Sequence, residues 1–298
     1  MNPVAPLAVA HCPLCGSKLI APLYTITRFE DPFTIFRCES CLFQFMNPLP
    51  SAEKEAALYT EGYYTGQSSY SYIDERKTEL FSRHVWKARL STIRRYVKQG
   101  TLIDIGCSFG GFIDFASRYF SCRGVESSAY ACDYAKKRGM CVEKARAEDM
   151  DIGENSADII TMIEVIEHTR DPLLVLRKCA ASLRNSGLLV VQTADLHSWQ
   201  AIEAAEKYHY YLPGHFSYFT GETITNALLA AGFTSVKIFR PVDFGLIPKL
   251  KKMRGSFTRI SDYLRCINTA VYHFKGYFKK RGIPLTGSMV VYAFRSRS

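Results

Sequence analysis

The 298-residue chain carries 38 Lys and Arg against 28 Asp and Glu, a formal net charge of +10, with ten cysteines. That length suits one catalytic domain with appendages, and no run is apolar for long enough to span a bilayer. The opening MNPVAPLAVAHC lacks a basic n-region, so no secretory signal is expected and the protein is placed in the cytoplasm, where metal binding is the first use of reduced cysteines to consider.

His11-Cys12-Pro13-Leu14-Cys15-Gly16 and Cys38-Glu39-Ser40-Cys41 form two CxxC knuckles with twenty-two residues between them. Each knuckle lets two thiolates chelate one ion from a tight turn, and two knuckles close a tetrahedral four-thiolate zinc site. The intervening LIAPLYTITRFEDPFTIFR reads as a hairpin filling the gap, and residues 1–50 look like a zinc ribbon. With Cys12, Cys15, Cys38 and Cys41 all committed, no coordination place remains open for catalysis, so the zinc is structural. Neither CxxC opens a helix in a βαβ setting, which sets aside a redox pair.

Residues 51–100 read as an aromatic, loop-rich stretch followed by a lead-in helix. Tyr59, Tyr63 and Tyr64 either form part of a lid over a cofactor or pack the ribbon onto the main domain. From Asp74 to Gln99, apolar Leu80, Phe81, Val85, Ala88, Ile93 and Val97 mark a helix with Gly100 as its stop.

The next stretch, TLIDIGCSFGG from Thr101 to Gly111, organises the rest. Leu102, Ile103 and Ile105 make a buried strand; Gly106, Gly110 and Gly111 break it; Phe112, Phe115 and Ala116 restart at helical spacing. Strand, glycine-rich turn and helix open a nucleotide-binding βαβ unit. Glu126, fifteen residues past Gly111, stands like the acid that takes ribose hydroxyls. A dinucleotide fingerprint would place a glycine at 108, where Ser108 stands, and Asp104 opposes a pyrophosphate on the helix N-terminus. A ligand with an ammonium and a sulfonium welcomes that carboxylate. At Asp104, Gly106, Ser108 and Gly110 the chain resembles class I S-adenosylmethionine-dependent methyltransferases, whose first motif is an acid followed by alternating glycines.

SADIITMI (156–163) reads as the fourth strand of the sheet, followed by Glu164-Val165-Ile166-Glu167-His168 and a helix capped by Asp171 with Pro172 in its first turn. That helix is expected to reach a Gly187 stop, with LLVVQT as the fifth strand. EVIEH after strand four, with NSGLLVV at strand five, resembles the ubiquinone-biosynthesis type of O-methyltransferase over roughly Thr101 to Phe239. The resemblance implies a Rossmann-like, seven-stranded, mostly parallel α/β sheet with helices on both faces. It also implies that Ala147 and an acid meet the adenine, Glu148 or Asp149 substituting because Arg146 stands at the expected acid, and that Glu164 lines the cofactor. HFSYFT (215–220) is similar to a segment of nucleotide-sugar C-methyltransferases, in which its histidine, here His215, is a proposed base.

Methyl transfer to a hydroxyl needs in-line positioning and a proton acceptor; His168, His209 and His215 fall near the expected pocket, and His215 and His168 are the catalytic candidates. Glu164, Glu167 and His168 form an alternative divalent-cation set that would lower a catechol's pKa, as suggested for the ubiquinone-type relatives. Within residues 101–298, a basic amphipathic insert (246–285) separates the last two strands. Phe257, Ile260, Leu264, Ile267, Val271, Phe274 and Phe278 form one apolar stripe on it. Packing on its own domain or a dimer mate, a membrane-surface helix over 249–281, and RNA binding all fit the pattern. The sequence-level expectation is a methyltransferase acting on oxygen in a small-molecule, sugar or lipid-linked acceptor, with S-adenosyl-L-methionine as cofactor. RNA methylation, C-methylation of a nucleotide sugar and a scaffold without turnover are the alternatives; a nucleic-acid partner is not expected.

Overall fold

The computed structural model describes residues 7–58, 60–65, 74–257, 259 and 262–296. Strands β1 (Ile20–Ile26) and β2 (Phe33–Cys38) form the antiparallel hairpin expected between the cysteine pairs, and β3 (Gln44–Met46) extends it. Two short helices follow, α1 (Ala52–Leu58) and α2 (Glu61–Thr65). A 3-10 turn over Glu75–Thr78 then leads into α3 (Glu79–Ile93), which ends short of the sequence-based limit at Gln99. Gly100 belongs instead to the entry of the next strand. Its φ is +122°, and a Cβ there would lie 2.2 Å from Asp158 Oδ2.

The main sheet starts with β4 (Thr101–Ile105), followed by α4 (Gly111–Ala116), β5 (Ser121–Glu126), α5 (Ala129–Lys137), β6 (Val142–Lys144) and β7 (Ala157–Ile163). Helix α6 (Pro172–Ser182) is capped as expected, Asp171 Oδ1 accepting from Leu174 N at 2.9 Å. It stops before Gly187. Leu183, fully buried, pairs with Ala157 and starts the long strand β8 (Leu183–Ala194), so sheet pairing overrides the helical spacing of the segment.

Beyond β8 come α7 (Trp199–Ala204), β9 (Ser217–Tyr218), α8 (Gly221–Ala230) and β10 (Ser235–Phe239). The insert is not one helix. It divides into α9 (Leu246–Met253), α10 (Asp262–Lys275) and a small hairpin of β11 (Lys279–Lys280) and β12 (Ile283–Pro284). Phe257 lies in the break before α10 rather than on its stripe. Strand β13 (Ser288–Phe294) closes the sheet. Tyr59 and Ile260, and the side chain of Tyr64, lie outside the described residues.

The seven strands run in the order β10-β13-β8-β7-β4-β5-β6, with β13 antiparallel to both neighbours and the pairs among the others parallel. This is the Rossmann-like sheet expected from the sequence. The order reverses beside β4, so a crevice opens at the carboxyl ends of β4 and β7, where such sheets bind ligands. The ribbon is not a separate bead. Its β3 pairs with β9, Gln44 opposite Tyr218 and Phe45 opposite Ser217, and the Phe43 ring packs tilted against Phe219 with centroids 5.1 Å apart. The four-stranded sheet β1-β2-β3-β9 thus reaches the segment that carries His215.

Candidate active site

The four ribbon sulfurs converge. Cys12 and Cys41 Sγ lie 3.6 Å apart, as do those of Cys15 and Cys38, and all four fall within 4.8 Å of one another. Four sulfurs about 2.3 Å from one ion sit about 3.8 Å from each other, so the cluster has the size of a tetrahedral zinc site. The knuckles repeat one geometry. Gly16 N donates to Cys12 O and Leu42 N to Cys38 O, each at 2.9 Å, and both donors have positive φ, +73° and +63°. Burial raises the Cys12 thiol to about 11. At Cys38 burial is outweighed by the N–H groups of Cys41 and Ser40, which bring it to about 7.

The sheet crevice holds a cavity of about 510 Å³, within the range of roughly 300–1,000 Å³ for small-molecule sites. Its lining includes Asp104, Gly106, Ser108, Glu126, Ala147 and Glu148, all anticipated from sequence. Asp104 is 5% exposed and takes the Thr161 hydroxyl; burial raises its carboxyl to about 7. Glu126, also buried, accepts Ser108 N at 2.7 Å and Ser128 N at 2.8 Å. Burial raises its pKa, and those backbone N–H groups pull it back.

The turn explains its residues. Gly106 and Gly110 have φ of +73° and +79°, and Ser108, at the position of the missing glycine, has φ +50°. That conformation aims the Ser108 N–H at Glu126, and Ser108 Oγ is left buried without a hydrogen-bond partner. Two buried carboxylates and an orphan hydroxyl around one cavity fit a polar, cationic ligand. Gly110 stands back from the cavity, where a Cβ would lie 2.1 Å from Met140 Sδ.

At the adenine end expected from the resemblance, Arg146 does not point away as an intruder. It faces Glu55 at 3.6 Å and Glu148 at 3.5 Å, while Arg170 binds Glu55 at 2.5 Å and its N–H binds Glu148 Oε1 at 2.6 Å. Arg170 also donates to Pro50 O at 2.7 Å, so this knot fastens α1 and the ribbon's exit to the cavity rim. Of the lid tyrosines, Tyr63 is buried against Phe109 and Ala131 and lines the cavity.

The cavity is also lined by Trp86, Arg89, Glu164, His168, Gln192, Phe244, Lys249 and Lys252; a Cβ on Gly111 would lie 2.6 Å from the Trp86 ring, and Arg89 lies near enough to Asp104 to favour its carboxylate. Glu164 has φ +57°, uncommon for a residue with a Cβ. Gln192 Nε2 donates to its Oε1 at 2.6 Å, and Arg89 donates to Gln192 Oε1, charges that fix the amide's orientation. Glu167 is fully buried and accepts from Tyr210 and, at 3.1 Å, from Thr193; burial and then Glu164 raise its pKa.

His168 sits on the cavity wall, and His215, 4% exposed, stands behind it without lining the cavity. His168 Nδ1 lies 2.8 Å from Gly214 O and His215 Nδ1 2.8 Å from Tyr210 O. Carbonyls only accept, so both Nδ1 atoms carry protons and each Nε2 is the basic nitrogen of a neutral ring. Burial lowers both pKa values, that of His168 to about 4. Ligand atoms of Glu167, His168 and His215 all lie within 4.8 Å of one another. The trio brought together thus has His215 where the expected set had Glu164, and Glu164 is bound by Gln192 and Tyr210.

The family model described as a methyltransferase domain matches residues 76–238. The chain belongs to this family. It is a class I S-adenosylmethionine-dependent methyltransferase. A ubiquinone biosynthesis O-methyltransferase of Nitrobacter winogradskyi is 35% identical over 126 residues, which are 38% of this chain and 46% of that relative. A (S)-coclaurine N-methyltransferase of Papaver somniferum is 28% identical over 168 residues, 51% of this chain and 44% of that one. The methyltransferase thus spans less than half the length of either, and the two differ in the atom they methylate. Among solved structures, a phosphoethanolamine N-methyltransferase 2 of Haemonchus contortus in complex with S-adenosyl-L-methionine shares the fold at a TM-score of 0.56 and 14% identity, covering 92% of this chain and 71% of that one.

Arg89, Gln192, Tyr210, Lys249 and Lys252 were not singled out by the sequence. Arg89 looks like one more cation on an amphipathic helix, and Lys249 like part of a charge run. Only the packing of α9 on α3 brings both to the cavity.

Proposed function

We propose that this methyltransferase methylates a hydroxyl of a small-molecule or lipid-linked acceptor held beside His168. One end of the cavity takes S-adenosylmethionine, which supplies an electrophilic methyl group. There Asp104 holds the ammonium, Glu126 the ribose hydroxyls, and the turn from Gly106 to Ser108 gives close approach. Ala147 and Glu148 flank the adenine, with Glu164 at the boundary to the acceptor. The observation that carries oxygen as the target is His168 on the cavity wall, a neutral ring with Nδ1–H held by Gly214 O and Nε2 as its basic nitrogen. His215 packs edge-to-face against that ring and positions it. The ribbon holds structural zinc. To test this reading, methyl-labelled cofactor is incubated with lipid and aqueous extracts, and labelled products are analysed by mass spectrometry. Label on an ether or ester oxygen is expected; label on carbon, nitrogen or RNA overturns it.

A second reading rests on the Glu167, His168 and His215 cluster. One carboxylate and two neutral imidazoles suit a divalent transition metal, which would lower the acceptor hydroxyl's pKa. Elemental analysis decides: two ions per chain, falling to one in His215→Ala, support it. A single ion in the wild type disposes of it.

A further inference from the structure

Helix α10 is turned inside out. His273 is 2% exposed and faces the protein, while Leu264 and Phe274 are 63% and 56% exposed. Leu264, Ile267, Val271 and Phe274 fall within an arc of about 80° at 100° per residue, and Tyr263, Tyr277 and Phe278 extend the same exposed patch. Leaving so much contiguous apolar surface in water is unfavourable and marks an interaction face. The charge around it is of one sign. Arg265, Lys275, Lys279, Lys280 and Arg281 flank it, and after Asp262 the sequence has no Asp or Glu. Arg265 is the one of them that meets that acid, at 3.7 Å.

We infer that this face docks on an anionic lipid bilayer surface. The aromatic and aliphatic stripe enters the boundary between headgroups and acyl chains, and the lysines and arginines meet the headgroups. A second copy of the same face is disfavoured, because a two-fold contact would set these cations against one another. The helix has already turned its other side, with His273, onto the protein, so internal burial of the stripe is not how it is covered. Helix α10 contacts α9, and α9 carries Lys249 and Lys252 on the cavity wall. Docking therefore sets that wall beside the membrane. The inference stands apart from the acceptor reading, since binding is measured without turnover.

The test is sedimentation of the full chain with vesicles of phosphatidylcholine containing phosphatidylglycerol, and of phosphatidylcholine alone. Expected is binding to the anionic vesicles that falls several-fold as salt rises, with little on neutral ones. Phe274→Ser with Phe278→Ser is expected to lower the partition coefficient about tenfold or more, with circular dichroism and cofactor affinity unchanged. Lys279→Glu with Arg281→Glu, on the hairpin outside the helix, should weaken binding as well, and decides the matter if the phenylalanine variant unfolds. No binding to anionic vesicles, or binding unchanged in the charge variant, overturns the inference. So does a wild-type dimer that the phenylalanine variant converts to monomer, or RNA binding that displaces the vesicles and ignores the stripe.

Discussion

His168 and His215 meet edge-to-face with ring centroids 4.6 Å apart, each ring anchored through Nδ1 to a backbone carbonyl of the 208–218 segment. His168→Ala should therefore reduce turnover about a hundredfold or more while cofactor affinity stays within about twofold. His215→Ala should lower turnover less and melt earlier, because the buried ring leaves a cavity. Steady-state kinetics, calorimetry and thermal denaturation separate the two. Full activity in His168→Ala would remove it as the base.

If Asp104 holds the cofactor's ammonium as proposed, cofactor binding should depend on pH. Its carboxyl is raised to about 7 by burial, so below that pH it is protonated and neutral. A cationic ligand prefers the carboxylate, so S-adenosylmethionine affinity should rise with pH up to about 7 and then level off, with proton release on binding at lower pH. Calorimetry in buffers of different ionisation heat reads that proton directly. In Asp104→Asn both the release and most of the affinity should vanish. The same shift makes ionised Asp104 a cost to the empty fold as pH rises from the unfolded value toward about 7, a cost the bound ammonium removes.

If the ribbon holds zinc as proposed, its loss should be felt at the segment that carries His215 as well as in the ribbon. Cys38→Ser removes one sulfur of the cluster, and β2, which ends at Cys38, pairs with β3, which pairs with β9. Metal content should fall, and hydrogen exchange should speed up at Ser217 and Tyr218 together with β3. Faster exchange confined to the knuckles would show that the shared sheet does not transmit the loss.

Glu55 carries two guanidinium groups on one carboxylate, with side-chain exposures of 12% for Glu55 and 17% for Arg170. Glu55→Ala should leave Arg170 without a carboxylate, while Arg146, 35% exposed, keeps Glu148, and destabilise the fold by about 2 kcal/mol. Chemical denaturation measures it. A change below about 0.5 kcal/mol would mean the knot behaves as an exposed surface pair.

The parts legible in the sequence were those in which a local rule and the tertiary fold agree. Gly106, Gly110 and Glu126 sit where the turn and the second strand require them, and the cysteine spacing announced the knuckles. Ser108 read as a departure from the motif, yet its positive φ shows that the position keeps the glycine-like backbone with a side chain added. Where long-range pairing decides, the reading failed. Helix α6 ends at Ser182 because Leu183 finds a strand partner, and the insert breaks before α10. There Gly255 lies so close to Phe81 that a Cβ would come within 2.5 Å. Arg89 and Lys249 were invisible for the same reason: each is an ordinary cation until two helices distant in sequence are packed together.

The position of β13 between β8 and β10 has a consequence for synthesis on the ribosome. Strand β8 is the longest of the sheet, and its far edge has no partner until the chain through Phe294 has emerged. Strand β10 is in the same state, since its pairing is with β13. For the time needed to translate the insert, the nascent sheet therefore carries an open, apolar edge of the kind that recruits other chains. Newly made protein should need holding at that stage, and slowing translation within the insert should increase aggregation without altering the finished molecule.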